Sequence, residues 1–334
     1  MFSRLLAAFS ILTLPVVASA ATPEYAVVGR IAGPDGGWDL LGVDAAHRLY
    51  VARSGAVMAA DLVSGVVTPA LVPLTRGHGA MPIPGTTRVI ATNGGSDTAI
   101  VFEGTTGEIV ATIPTGKKPD AIAYDPATST IWVMNAGSGD ITVIDPATLK
   151  VRTTVAVGGS LELGAVDGKG RLYVNVEDRN DVAVIDTKAM KLVTRFPLQG
   201  CDGPTGIAYA ADVHRIISAC ANGVAIVSAP DGHQIARLAI GPRPDGALYD
   251  PLRKLAFVPS GGDGTLAVIR VADKPEVVAL VKTAKGARTA ALDPETGRIY
   301  LPAAQYAAAI GDARPAMLPG TFAVLIVAPV DAPH

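Results

Sequence analysis

The sequence contains few cysteines, few aromatic residues and little charge of either sign. Its 334 residues include two cysteines, and aromatic and charged residues make up 5% and 17% of the chain. A face that binds nucleic acid needs basic residues beside stacking aromatics, so this composition and the net charge of −2 argue against nucleic acid as a partner. Outside the first twenty residues no apolar run reaches the roughly 20 residues of a spanning helix, so we expect no membrane span in the mature chain.

Several catalytic motifs are also absent from the sequence. It contains no C-x-x-C-H haem site, no H-E-x-x-H zinc motif, no G-x-S-x-G elbow and no phosphate-binding glycine loop followed by lysine. These absences disfavour enzymes that use attached haem or a nucleophilic serine. A metal site whose ligands come from separate parts of the chain leaves no local motif, so a metal-assisted hydrolase or lyase stays open.

The first twenty residues have the features of a secretory signal peptide. Arg4 supplies the positive charge, residues 5–17 form the apolar run, and residues 18–20 fit an A-x-A cleavage site. The alternative, a membrane anchor, requires a longer apolar run. We expect residues 1–20 to be removed and the mature chain, residues 21–334, to work in the bacterial periplasm.

The two cysteines favour a disulfide in an exported chain. Cys201 lies just before one predicted strand, and Cys220 follows the strand that returns beside it, so an antiparallel hairpin brings both to one end of a sheet. The alternative is a pair of buried free thiols.

Glycine and proline are abundant, at 36 and 25 residues, and they separate short strand-like segments. Residues 118–158 contain four such segments, with matching turns at Asp125-Pro126 and Asp145-Pro146. A lone four-stranded sheet cannot bury both of its faces, so it needs neighbours like itself.

An aspartate at the end of the first strand marks each repeat. It recurs every 40 to 43 residues, apart from one double interval, and Ala210 replaces it once. The marker aspartates are Asp44, Asp125, Asp167, Asp250 and Asp293. A degenerate segment, residues 81–93, fills the double interval and makes seven units of four strands. This pattern predicts an all-β, seven-bladed β-propeller.

The N-terminal segment is predicted to close the ring. The seventh unit runs out after its third strand near residue 327, whereas residues 24–31 form an unattached strand before the first unit. Pairing the two removes the exposed sheet edges. We expect one propeller domain over residues 21–334.

Two segments carry a family resemblance, residues 119–158 (PDAIAYDPATSTIWVMNAGSGDITVIDPATLKVRTTVAVG) and residues 170–198 (GRLYVNVEDRNDVAVIDTKAMKLVTRFPL). They resemble the YVTN β-propeller repeat, and the mature chain is similar to the YncE-like periplasmic proteins. The second unit and Ala210 depart from the pattern. The resemblance implies the propeller fold but no particular chemistry, because such propellers include binding proteins, surface-layer proteins and a few enzymes.

A column of polar residues lies five positions before the markers. It comprises Asp39, Asp120, Glu162, Thr205, Asp245 and Arg288, with Gly79 in the second unit beside His78. These residues stand at the start of the innermost strands, so we expect them to surround one mouth of the central channel. The alternative is that the acids only cap turns.

The column predicts a ligand site at this mouth. Hard carboxylate oxygens suit a divalent metal ion, His78 would admit zinc or iron, and Arg288 is the internal counter-charge. The candidate metal ligands are Asp39, Asp120, Glu162 and Asp245. Trp38 precedes Asp39 and is a candidate stacking surface for the ligand.

An insertion at residues 303–320 separates the second and third strands of the seventh unit. We expect it on the same face as the mouth, as a lid that carries Gln305, Tyr306, Asp312 and Arg314, or else as a disordered loop. These features favour a monomeric, non-enzymatic protein that binds a small molecule or a periplasmic protein at the channel mouth. The alternative function is a lactonase-like, metal-assisted hydrolase or lyase.

Overall fold

The computed structural model describes residues 23–308 and 315–330. The predicted signal peptide and the lid residues Asp312 and Arg314 lie outside these ranges. Seven four-stranded antiparallel sheets are arranged as the blades of a propeller, which confirms the predicted fold class. No helix in the described part of the chain is both long enough and apolar enough to cross a bilayer.

The strands follow the chain in blade order, starting with the closing strand β1 (Glu24–Ala32). Blade 1 contains β2 (Trp38–Val43), β3 (Arg48–Arg53), β4 (Ala56–Asp61) and β5 (Val67–Pro73). Blade 2 contains β6 (Gly77–Pro82), β7 (Arg88–Asn93), β8 (Thr98–Glu103) and β9 (Ile109–Pro114). Blade 3 contains β10 (Pro119–Asp125), β11 (Thr130–Asn135), β12 (Asp140–Asp145) and β13 (Lys150–Ala156).

The second half of the ring repeats this plan. Blade 4 contains β14 (Leu161–Val166), β15 (Arg171–Val176), a 3₁₀ turn (Glu177–Arg179), β16 (Asp181–Asp186) and β17 (Lys191–Pro197). Blade 5 contains β18 (Pro204–Ala210), β19 (Arg215–Cys220), β20 (Val224–Ser228) and β21 (Gln234–Ala239). Blade 6 contains β22 (Leu248–Asp250), β23 (Leu255–Ser260), β24 (Thr265–Arg270) and β25 (Glu276–Lys282). Blade 7 contains β26 (Ala291–Asp293), β27 (Arg298–Ala303) and β28 (Ala323–Val330).

The N-terminal strand completes blade 7, as the sequence predicted. Strand β1 pairs antiparallel with β28, from Glu24 opposite Val330 to Ala32 opposite Ala323. The last blade therefore takes its outer strand from the beginning of the chain and its inner three strands from the end, which closes the ring.

Burial follows the position of each strand within its blade. The second strand β11 is buried at every position, because neighbouring blades cover both of its faces. The outer strand β13 is mostly exposed. Trp132 in β11 is fully buried among apolar residues of blades 3 and 4. The hydrophobic core is thus a set of seven layers between blades rather than one central cluster.

The marker aspartates act as turn caps. Asp125 accepts a hydrogen bond from the backbone N–H of Ala127 at 3.1 Å and another from the Thr128 hydroxyl at 2.8 Å. Asp145 accepts backbone N–H bonds from Ala147 and Thr148 in the corresponding second turn. Each aspartate therefore satisfies local donors in a tight turn, which accounts for its recurrence in the sequence.

Cys201 and Cys220 form a disulfide in blade 5, with Cα atoms 5.5 Å apart. Both residues are buried. The bridge joins the segment before β18 to the end of β19, at the same end of the sheet as the start of the innermost strand.

Candidate functional site

A repeated irregularity at the start of the innermost strands positions the column residues. In blades 1 to 5 the register with the second strand shifts two residues after the strand begins, for example between Pro119 and Ile122 in β10. The residue that follows the first pair, Asp120 in this strand, lies inside the shift. Such a bulge re-aims a side chain, and in these five blades it brings one residue each to the channel mouth. Asp245 and Arg288 instead precede the innermost strands of blades 6 and 7.

The second blade contributes His78 to this position, not Gly79. The shift in β6 falls between Gly77 and Ala80, so His78 corresponds to Asp39 in blade 1 and Asp120 in blade 3. The sequence alignment was wrong by one residue, because blade 2 has no marker aspartate from which to count.

Buried threonines fix the backbone of the column. Thr92 donates a hydrogen bond to the carbonyl of Asp120 at 2.8 Å, and Thr289 donates one to the carbonyl of Asp39 at 2.9 Å. Both threonines are fully buried and belong to the preceding blade around the ring. The bonds therefore hold neighbouring column residues in a defined relation across the blade boundary.

Asp39, His78 and Asp120 converge on one point of the mouth. Nδ1 of His78 lies 2.8 Å from Oδ2 of Asp39 and 3.9 Å from Oδ2 of Asp120. One potential ligand atom from each of the three residues lies within 4.8 Å of the others. We call these three residues the triad. Two carboxylates and one imidazole at this separation form a donor set that suits Mn²⁺, Fe²⁺ or Zn²⁺.

Arg288 balances part of the negative charge. Its Nε lies 2.6 Å from Oδ2 of Asp245, and its Nη2 lies 3.6 Å from Oδ1 of Asp39. The guanidinium therefore bridges blades 6, 7 and 1 and connects Asp245 to the triad. This arrangement matches the counter-charge role that the sequence analysis expected of Arg288.

The column surrounds a cavity of about 310 Å³. Its lining includes the triad, Glu162, Thr205, Asp245 and Arg288, and it also includes Glu177 and Arg243, which the sequence analysis did not single out. Thr205 donates its hydroxyl hydrogen to the carbonyl of Pro244 at 2.8 Å, so it also stabilises the backbone of the mouth.

Three acids of the mouth have raised pKa values. Burial, followed by the charge of Asp120, raises the pKa of Glu162 to about 9. Burial, followed by the charge of Asp39, raises the pKa of Asp245 to about 7 and that of Asp120 to about 6. The hydrogen bond to Asp39 raises the pKa of His78. The mouth therefore binds protons more tightly than separate carboxylates do, as expected where acids crowd together.

Trp38 lies in a hydrophobic cluster with Ala304 and Phe322, which lie close to the two ends of the insertion. Trp38 packs against Phe322 with ring centroids 5.2 Å apart, and only 9% of its surface is exposed. The insertion begins and ends in a hairpin-like pairing, in which Tyr306 lies opposite Met317. Leu318 donates its N–H to the carbonyl of Gln305 at 2.8 Å. The two ends of the insertion are thus hydrogen-bonded to each other.

No protein-family model matches the chain, and no curated protein sequence matches it either. Several solved structures do match the chain. A chain from a crystal structure of a mitotic checkpoint complex has a TM-score of 0.74 at 13% identity, with 99% of both chains covered. Virginiamycin B lyase from Staphylococcus aureus has a TM-score of 0.72 at 14% identity, with 92% of this chain and 100% of that chain covered.

A third similar structure is the hydrazine synthase of Kuenenia stuttgartiensis. Its TM-score is 0.67 at 15% identity, with 86% of this chain and 95% of that chain covered. Identities this low carry no information about chemistry. The comparisons show that the chain has the seven-bladed β-propeller fold.

Proposed function

We propose that the protein is an exported β-propeller that binds a divalent metal ion at the mouth of its channel. The observation that carries this proposal is the triad, in which three ligand atoms from three blades lie within 4.8 Å of one another. Three protein ligands leave coordination positions open to water or to a ligand. The propeller would then be a non-enzymatic binding protein for a small molecule, with a periplasmic protein partner as the alternative target.

The test is titration of Mn²⁺ into the chelator-treated mature protein by calorimetry, with His78→Ala and His47→Ala compared with wild type. His47 is the matched control, because its Nδ1 also lies close to an aspartate, 3.2 Å from Asp293, at the opposite end of the channel. We expect one site in wild type, an affinity about tenfold lower or worse in His78→Ala, and an affinity within about twofold in His47→Ala. No binding to wild type, or equal binding to His78→Ala, would contradict the proposal.

We also propose export to the periplasm and membership of the YncE-like proteins. Support for export comes from the signal-like segment at residues 1–20 and the disulfide between Cys201 and Cys220. Cell fractionation with N-terminal sequencing tests it. A mature protein that begins at Ala21 in the periplasmic fraction is the expected result, whereas an uncleaved cytosolic chain would refute it.

A metal-assisted hydrolase or lyase is the second candidate. Glu162, whose pKa is raised to about 9, lines the same cavity as the triad and would be a protonated acid near neutral pH. One structurally similar protein is a lyase. Screening of esters and lactones with the Mn²⁺-loaded protein tests this function. Turnover that Glu162→Gln abolishes while Mn²⁺ affinity is kept would favour an enzyme, and no turnover in wild type would favour the binding protein.

A further inference from the structure

A second ring of residues lies two positions before the column residue of each blade. Its members are Gly37, Arg76, Lys118, Ser160, Gly203, Arg243 and Gly286. The backbone at five of them is left-handed, with φ of 53° at Arg76, 49° at Lys118, 59° at Gly203, 55° at Arg243 and 88° at Gly286. We call these seven residues the outer ring. The turn before the innermost strand thus adopts one conformation in most blades.

Three blades place a cation where glycine is the unstrained choice. Gly203 and Gly286 adopt the left-handed conformation without a steric penalty, whereas Arg76, Lys118 and Arg243 have a Cβ and are strained there. The same backbone conformation occurs at other non-glycine residues, such as Leu149 and Met190, so it does not by itself distinguish these three positions. The shared feature of the three residues is a positive charge at the rim of the mouth.

The three cationic side chains are free to meet a ligand. All three residues are exposed, and within the described ranges no hydrogen bond or ion pair holds their side chains. The backbone of Arg243 is nevertheless fixed, because its N–H donates to the carbonyl of Ala221 and its carbonyl accepts from Gly261. The backbone therefore fixes where the side chain of Arg243 begins, whereas its guanidinium has no hydrogen-bond or ion-pair partner in the described part of the chain.

Arg243 and Arg76 belong to the same site as the triad. Arg243 lines the cavity that contains the triad. Arg76 directly precedes β6, the strand that carries His78. A metal ion bound at the triad by itself would be repelled by these two positive charges. An anion bound to that metal ion would be attracted by both.

We propose that the protein binds its metal ion together with a small oxyanion, whose carboxylate or phosphate group bridges the ion at the triad and the guanidinium of Arg243, with Arg76 and Lys118 at the rim. This inference rests on the proposed metal site. An arginine fork matches the geometry of a carboxylate or phosphate group, and a metal with open positions accepts one oxygen of the same group. The ligand class is therefore a small anion that offers a carboxylate or phosphate group to a divalent metal ion.

The experiment measures Mn²⁺ affinity of the mature protein by calorimetry with and without a fixed excess of malonate, inorganic phosphate or neutral malonamide. Malonate offers carboxylate groups and inorganic phosphate offers a phosphate group, so comparing them shows which of the two groups the site binds. We expect one of the two anions to tighten Mn²⁺ binding about fivefold or more, and malonamide to have no effect.

The test variant is Arg243→Gly, which suits the left-handed backbone, and Lys254→Gly is the control. Lys254 has φ of 56° and is exposed in the turn between β22 and β23, at the opposite end of the channel. Arg243→Gly is expected to abolish the effect of the anion, to bind Mn²⁺ alone more tightly than wild type because a nearby positive charge is removed, and to melt no lower than wild type. Lys254→Gly is expected to keep the effect of the anion.

The outcomes separate the inference from the proposed function. Mn²⁺ binding that no anion changes, or an anion effect that survives in Arg243→Gly, overturns the inference and leaves the metal site standing. A lower melting temperature in Arg243→Gly would assign Arg243 a structural role and overturn the inference as well. No Mn²⁺ binding to wild type overturns both.

Discussion

Glu162 should make the metal-free protein less stable as the pH rises. Its pKa is raised from 4.5 to about 9 in the folded state. An acid with a raised folded-state pKa contributes stability that is fully present below its unfolded value and is lost as the pH rises through its folded value. The loss therefore extends from about pH 4.5 to pH 9.

The size of the loss follows from the shift. One pKa unit corresponds to about 1.4 kcal/mol, so the full shift of Glu162 sets an upper limit of about 6 kcal/mol. Glu162 is only half-buried and lines a cavity open to water, so solvent screening reduces the expected loss to about 2–3 kcal/mol. Asp245 and Asp120, with pKa values raised to about 7 and 6, add to the same trend.

The assay is urea unfolding in the presence of chelator from pH 5 to pH 9. Glu162→Gln should equal wild type near pH 5 and become more stable than wild type by about 2–3 kcal/mol at pH 9. The exposed residue Glu108 is the control, and Glu108→Gln should keep the wild-type slope. Parallel curves for wild type and Glu162→Gln would refute the assignment of the pH dependence to the mouth.

Three further predictions concern the scaffold. Replacing Cys201 and Cys220 by serine should cost about 3 kcal/mol in urea unfolding, because the bridge closes a loop with a sequence separation of 19, and unchanged stability would contradict this. Asp125→Ala should cost about 1–3 kcal/mol, because it removes a fully buried cap that accepts two hydrogen bonds, and a neutral result would contradict the role of the marker. Thr92→Val should weaken Mn²⁺ binding more than it lowers the melting temperature, because its hydroxyl holds the Asp120 backbone, and equal Mn²⁺ affinity would refute that link.

The fold was predictable because its determinants are local and repeated. Asp125 and Asp145 accept hydrogen bonds from donors within three residues of themselves, so the same residue types recur wherever the turn recurs. The closing strand was predictable for a different reason. A propeller with an unpaired edge is incomplete, and β1 was a strand-like segment that the repeat count left unassigned.

The candidate site was predictable only in part. The acids of the column were found by counting from the markers, but blade 2 lacks a marker, so the count missed the register that places His78 beside Asp39. Glu177 and Arg243 were missed because they lie outside the column, and their approach to the mouth depends on closure of the ring. Comparing the residue two positions before each column member would have revealed the repeated cations.

The most direct test of the metal site is a crystal structure of the mature protein soaked in Mn²⁺, with an anomalous difference map recorded at a wavelength sensitive to manganese. The account predicts one strong peak at the channel mouth, about 2.0–2.3 Å from an oxygen of Asp39, a nitrogen of His78 and an oxygen of Asp120. A map without a peak at the triad, or with its only peak elsewhere on the protein, would contradict the account.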